Sequence, residues 1–237
     1  MENWREDCLG RLSPEAGPSA ALFKKLGTIT AELGFEYCSY VLKSPVPVAQ
    51  PRVAWWSNYP DRWLDRYFSN NYLDIDPLIQ QTSRSMRPLA WASESQEVQP
   101  QFWEEARANG IRYGWAMSTC GPDMTTGMLS LARSDEAIAA AELNATEMKL
   151  VWLAHVMHEL VSTAEMGASI PESACHLTDR ECEVLRWSAA GKTVGEVSKI
   201  LGIADRTVTF HVTSSLCKLD VTNKTQAVAK ALLLRLI

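Results

Sequence analysis

Four polar side chains in the first half of the chain have the chemistry to hold a small polar molecule: Tyr59, Trp63, Asp76 and Ser130. The Trp63 indole N–H only donates, an ionised Asp76 only accepts, and the two hydroxyls do either. Their setting is aromatic, because Trp55, Trp56, Tyr59, Trp63, Tyr67, Phe68, Tyr72 and Trp91 fall within one short region. That density points to an aromatic-lined interior, and small-molecule pockets are apolar with a few fixed polar groups. Each residue also has a plainer role open to it. Trp63 and Tyr67 stand four apart on a helix and fit an ordinary core. Asp76 before Pro77 fits a helix cap. Ser130, in a strand, carries no signal of its own.

Covalent chemistry finds less support. There is no G-x-S-x-G, and His155, His158 and His176 fall on a helix or a linker away from the aromatic cluster, so the chain reads as no enzyme. The strand-end Asp, acidic pair and later Lys of a phosphoacceptor domain do not occur in the first 165 residues. Cys8, Cys38, Cys120, Cys175, Cys182 and Cys217 form no C-x-x-C and have no His at metal-ligand spacing. They read as reduced thiols in the cytoplasm, with no metal and no cofactor expected. No secretory leader and no apolar run of membrane-spanning length is visible, so no membrane partner is expected.

Charge divides the chain. The formal net charge of −5 argues against nucleic acid. From Ala174 onward, however, 9 Lys+Arg face 6 Asp+Glu, a net of +3, whereas the first 173 residues carry 14 against 22, a net of −8. A small basic module appended to an acidic one fits DNA binding.

The elements that must position these groups follow from periodicity. Ser19 can cap a helix over 20–33, stopped by Gly34; strands are expected over 35–42 and 53–57. Helices are expected over 61–68, 76–83 and 101–109, strands over 112–117 and 127–132, and a long helix over 141–164. This order gives an α+β class: an α-β-α sandwich of helices on an antiparallel sheet over 1–165. Residues 166–176 (MGASIPESACH) lose all period and read as a linker. Residues 177–237 read as four helices. Thr178 with Glu181, and Thr193 with Glu196, are capping boxes, while Gly191 and Gly202 are stops. A third helix over 205–219 buries Val208, Val212 and Leu216, and a fourth starts near Asn223. Short helices with a Gly-containing turn make a helix-turn-helix. Its third helix then presents Arg206, Thr209, Phe210, Thr213 and Cys217 to the major groove of double-stranded promoter DNA. Thr209, Phe210 and Thr213 favour thymine methyls. Lys192, Thr193, Arg206, Lys218 and Lys224 are the expected phosphate contacts. His211 reads as packed between helices.

The motif L-T-x-R-E-x-E-V-L-x-x-x-A-x-G-K-T at Leu177–Thr193, with R-T-V-x-F-H-V at Arg206–Val212 and K-L-x-x-x-N-K at Lys218–Lys224, resembles the DNA-binding domain of LuxR-type regulators. Two departures stand out. Ala204 replaces a capping Ser, a role that Asp205 is expected to take, and Thr209 replaces a basic residue. Upstream, Tyr59-Pro60-x-x-Trp63-x-x-x-Tyr67, Tyr72, Asp76-Pro77, Trp91, Phe102, Ala106, Gly110-Ile111, Gly114 and the M-L-S-L ending near Ser130 resemble the autoinducer-binding domain of the same family. The resemblance implies a quorum-sensing regulator whose ligand is an N-acyl-homoserine lactone. By the same resemblance Trp63 bonds the lactone carbonyl. Asp76 suits the ligand amide N–H, and Tyr59 and Ser130 suit its carbonyl. Trp91, Phe102 and Ala106 pack around the ring, Tyr67, Leu78, Ile79 and Tyr40 line the tail, and Ile111 is a further ligand-binding residue. Trp55, if it points inward, shortens the tail space and favours short or medium acyl chains. The resemblance also implies a homodimer, joined through the long helix and the last helix, and RNA polymerase as a further partner. A different amphipathic ligand is the alternative.

Overall fold

A computed structural model describes residues 2–12, 19–95, 97–122, 124–166 and 176–237. They divide into two compact units, each described by itself.

The first unit opens with α1 (Glu2–Leu12) and α2 (Ser19–Glu32). It continues through β1 (Tyr37–Lys43), β2 (Val53–Ser57), α3 (Asp61–Ser69), α4 (Pro77–Thr82), β3 (Leu89–Ala92) and α5 (Pro100–Ala108). β4 (Tyr113–Cys120), β5 (Thr126–Arg133) and α6 (Ala140–Met166) complete it. The five strands form one sheet in the order β2-β1-β5-β4-β3, with every pairing antiparallel. The α+β class and the antiparallel sheet are therefore as expected.

Strand residues alternate between faces, and here both faces are buried. One face carries Cys38, Tyr40, Leu42, Trp115, Leu129 and Leu131; the buried residues of α2 (Leu26, Ile29) and α6 (Leu150, Leu153, Met157) belong to the same unit. The other face packs Ala116, Ala132 and Met128 against Trp63, Tyr67, Leu78, Phe102 and Ala106 from α3, α4 and α5. α1 adds the fully buried Cys8 and Leu12, and its Trp4 meets Trp152 of α6 edge-on at 5.5 Å.

Several expectations shift. Ser19 is not a cap but the first residue of α2, and its hydroxyl bonds Glu165. α1 and β3 were not expected. β3 has four residues at the sheet's edge, too few to show a period. The linker over 166–176 lies, from 167 to 175, outside the described residues.

The second unit holds α7 (Asp179–Ala189), α8 (Val194–Leu201), α9 (Asp205–Leu219) and α10 (Lys224–Leu233). Both capping boxes form, Thr178 with Glu181 and Thr193 with Glu196. Gly191 and Gly202 take the left-handed conformation (φ 80° and 65°) that lets the chain turn out of α7 and α8. α9 starts differently from expectation. Ala204 occupies the cap with no side-chain hydrogen bond, and Asp205 is the first helical residue, one position too late to cap. Two small clusters hold the unit: Leu185, Leu219, Ala227 and Ala231, and Val184, Val197 and Val208.

Candidate functional site

Strand register builds the floor of a cavity in the first unit. Three rows of paired residues cross the sheet on the α3–α5 face. The first runs Trp91–Gly114–Ala132–Tyr37, the second Ala116–Ser130–Ser39, and the third Met128–Val41–Trp55. A polar row thus lies between two apolar ones. In the first row, a Cβ on Gly114 would sit 2.3 Å from the Trp91 ring and 2.2 Å from the Leu131 carbonyl oxygen. Only glycine leaves room for the Trp91 ring at this point of the strand.

The roof comes from α3, the turn at Tyr72 and α5. Rings of Trp63, Tyr67, Tyr72 and Phe102 meet mostly edge-on, with centroids 5.3 to 6.2 Å apart. Outside them Glu105 gathers Arg66 (2.8 and 2.9 Å) and the Tyr72 hydroxyl (2.9 Å), which ties α3 and the turn to α5. Arg66 beside Glu105 holds its carboxyl at about 2.

Asp76 has two jobs at once. Its Oδ1 accepts the Leu78 N–H (2.8 Å) and the Ile79 N–H (3.4 Å), so it caps α4, with Pro77 in the first turn. Its Oδ2 accepts the Tyr67 hydroxyl at 2.8 Å and lies on the cavity wall. Burial pushes the carboxyl above its ordinary range, against the pull of Tyr67, Leu78 and Ile79. The Tyr59 hydroxyl lies 3.2 Å from Ser130 Oγ. Trp63 is buried, and the indole N–H groups of its cavity neighbours Trp91 and Trp103 meet no acceptor among the described residues.

The cavity has a volume of about 50 Å³. Twelve of the thirteen residues singled out in the sequence line it: Trp55, Tyr59, Trp63, Tyr67, Asp76, Leu78, Ile79, Trp91, Phe102, Ala106, Ile111 and Ser130. Tyr40 does not. It lies on the opposite sheet face, where its hydroxyl is 3.0 Å from His158 Nδ1 of α6. The reason is the two-residue period of β1, which turns Ser39 and Val41 to the cavity and Tyr40 away. Ser39, Val41, Leu73, Trp103 and Met128 also line the cavity and were missed. Trp103 is three residues before Ala106 on one helix face, and Met128 two before Ser130 on one strand face. Counting by face from the recognised residues finds both. Trp55 points inward, and its Nε1 donates to Ser39 Oγ at 2.5 Å.

In the second unit, Arg206, Thr209, Phe210, Thr213 and Cys217 all lie exposed along α9. Phe210 is 65% exposed, against the trend for a large apolar side chain. His211 is half-buried, its ring 5.7 Å from that of Phe210. Lys192 and Lys224 are half-buried; Lys192 approaches Glu196 at 3.6 Å. The Thr193 hydroxyl is engaged in its capping box. Lys218 stands apart from this group. Its Nζ is 2.7 Å from Oε2 of Glu181, a carboxylate that is 4% exposed. Burial works to raise Glu181, but Lys218, Ser214 and Thr178 outweigh it and hold the carboxyl at about 2. Lys218 thus ties α9 to α7. Among the described residues no group of three or more His, Cys, Asp or Glu side chains could hold a metal ion, and no helix is long and apolar enough to cross a membrane.

Comparison with known proteins accounts for both units. The family described as "Autoinducer binding domain" matches residues 19–161, and "Bacterial regulatory proteins, luxR family" matches residues 176–231. The transcriptional activator AnoR of Acinetobacter nosocomialis is 37% identical over 100% of both chains. The crystal structure of SdiA from Escherichia coli superposes with a TM-score of 0.77 at 29% identity, covering 100% of this chain and 98% of that one. SdiA in complex with octanoyl-rac-glycerol gives 0.74 at 30% identity, covering 98% and 95%. The N-acylhomoserine lactone dependent factor CepR2 of Burkholderia cenocepacia gives 0.63 at 28% identity, over 72% of this chain and 98% of that one. With an autoinducer-binding domain joined to a helix-turn-helix, the chain belongs to the luxR family of bacterial regulatory proteins and is a ligand-responsive transcription regulator.

Proposed function

We propose that the cavity binds an N-acyl-homoserine lactone and that the liganded chain, as a homodimer, binds promoter DNA through α9. One observation carries the ligand reading. An indole donor (Trp63), a buried carboxylate acceptor (Asp76) and a hydroxyl pair (Tyr59 and Ser130) surround one aromatic-walled cavity. A lactone carbonyl, an amide N–H and an amide carbonyl are the complement of that set, and the Val41, Met128 and Trp55 row suits an apolar tail. Trp55 inside the cavity supports a preference for short or medium chains.

Coupling to DNA follows from linkage. A ligand that binds only the folded sensor stabilises it by about 2.7 kcal/mol at a hundredfold excess over Kd. Paired protomers would set two α9 helices about one DNA turn apart, on a partly palindromic site. Arg206, Lys192 and Lys224 are the proposed phosphate contacts. Thr209, Phe210 and Thr213 are the proposed base readers. α6 and α10 are the proposed dimer elements, the cytoplasm the proposed compartment, and RNA polymerase a proposed further partner.

The test is a melting-temperature and sedimentation series on the full chain with four-, six-, eight- and twelve-carbon lactones and with octanoylglycerol. A chain-length-dependent rise with the lactones, accompanied by dimer mass and a shift of promoter DNA, is expected. The neighbour solved with octanoyl-rac-glycerol gives the alternative its footing. A response to the acylglycerol alone would replace the lactone by another amphipathic ligand.

A further inference from the structure

Beyond its first turn, the exposed side of α9 is nearly apolar. Between Thr209 and Cys217 the exposed residues are Thr209, Phe210, Thr213 and Cys217, and none of them carries a cation, a carboxylate or an amide. Counted from Arg206 they fall three, four, seven and eleven residues on, along one helix face. Phe210 holds the middle of this strip and is 65% exposed. Thr209 Oγ1 donates to the Asp205 carbonyl at 3.1 Å. The Thr209 proton is thus spent on the helix backbone, and its methyl is left for a neighbour. Charge directs the strip to nucleic acid, since from Ala174 onward 9 Lys+Arg face 6 Asp+Glu. In the major groove every base pair shows donors and acceptors, but only thymine among the ordinary bases adds an apolar group, its C5 methyl. Guanidinium, amide and carboxylate side chains separate the polar edges, and this strip has none. The Thr213 hydroxyl donates or accepts, so it contacts any edge without telling one from another.

We propose that Phe210 is a specificity-determining residue and that α9 selects its DNA site by C5-methyl groups, so that 5-methylcytosine serves where thymine does and uracil does not. The inference rests on the reading of α9 as the DNA-binding helix. A pyrimidine methyl set against the Phe210 ring and the threonine methyls takes apolar surface out of water on both sides. Uracil keeps the polar edge of thymine and loses only the methyl, so it forfeits that burial. 5-Methylcytosine has the opposite polar edge, an N4 donor for an O4 acceptor, but keeps the methyl. A strip that reads polar edges rejects 5-methylcytosine; a strip that reads methyls accepts it.

The experiment starts from the full chain with the lactone or acylglycerol that raises its melting temperature most. It selects a duplex from a pool whose random core spans about two DNA turns. That duplex is remade with uracil for each thymine in turn, and the most sensitive thymine–adenine pair is then replaced by cytosine–guanine and by 5-methylcytosine–guanine. Kd is read by fluorescence anisotropy at one salt concentration. Wild type is expected to lose at least about threefold with uracil, and about fourfold for each methyl read, the value of one buried methylene. 5-Methylcytosine is expected to bind at least about threefold tighter than cytosine at the same pair. In Phe210→Ala both ratios fall toward one, while affinity for the uracil duplex stays as in wild type. The wild-type ratios decide alone should the variant not bind. Smaller ratios in wild type overturn the inference, as do full ratios in Phe210→Ala, which would place the effect in the shape of the DNA. Equal, tight binding of thymine and uracil duplexes leaves the DNA-binding reading standing without it. A selection that enriches no duplex removes both.

Discussion

Replacing Lys218 by Met separates two roles that the residue type alone does not distinguish. The sequence reads Lys218 as a phosphate contact, whereas the structure sets its ammonium 2.7 Å from a carboxylate that is 4% exposed, with the lysine itself 34% exposed. Removing one partner of a fully buried pair costs about 3–5 kcal/mol, because the other charge is stranded. Lys218 is one-third exposed, and Ser214 and the Thr178 N–H still serve Glu181, so the expected cost is lower, about 2 kcal/mol. For a domain of this size each kcal/mol moves the midpoint by about 4–8 °C, so the helix-turn-helix transition should fall by roughly 8–16 °C. Calorimetry of the full chain reads that loss. Adding Glu181→Gln removes the stranded charge, and the double variant should recover at least half of it. DNA binding by the folded variant should keep its dependence on salt. Wild-type stability together with a log–log salt slope shallower by about 0.9 would refute the reasoning and return Lys218 to the phosphate backbone.

Three further outcomes follow from the geometry. Gly114→Ala drives a Cβ into the Trp91 ring and the Leu131 carbonyl; a loss of about 3 kcal/mol, the upper range for overpacking, should appear as a lower melting point and absent ligand response. Ala204→Ser supplies the side-chain cap that α9 lacks and should raise the helix-turn-helix midpoint by about 1 kcal/mol equivalent in the same scan. Glu105 is held below its ordinary 4.5, at about 2, by Arg66. Its folded value is thus depressed, so its contribution is present above pH 4.5 and is lost as pH falls from there toward 2. Glu105→Gln should lower stability at pH 7 and should lose less than wild type does on acidification over that window. Parallel curves for the two proteins would show that the Glu105–Arg66 pair contributes nothing to this acid loss.

How much of this was legible depended on period and on named side chains. The helix-turn-helix read almost residue for residue, because capping boxes and glycine stops are local and each helix sits within a few residues of its signal. The cavity read nearly as well, since α3, α4 and α5 carry its roof on residues with strong side-chain character. What failed was sidedness. Tyr40 is aromatic and one residue from Ser39, so composition favoured it for the pocket. Only the pairing of β1 with β5, a long-range fact, shows that its face belongs to His158. Ser39 and Val41 were missed for the same reason. Asp205 failed by one residue, because an acidic side chain serves a helix start both as a cap and in the first turn. β3 is too short to show alternation, and α1 has no clean apolar stripe.

The most direct test of the central claim is a lactone titration of Asp76→Asn followed by melting temperature. Asn still caps α4, since its carbonyl can take the Leu78 and Ile79 N–H groups, so the ligand-free protein should melt near wild type. Where Oδ2 stood it can present a donor, which repels a ligand amide N–H. Losing a hydrogen bond to a charged acceptor costs about 1.5–3 kcal/mol, or roughly 10- to 150-fold in Kd. A lactone-dependent rise is expected in wild type, shifted to at least tenfold higher ligand, or absent, in the variant. A folded Asp76→Asn protein that responds to the same lactone at the same concentration as wild type would contradict the lactone reading.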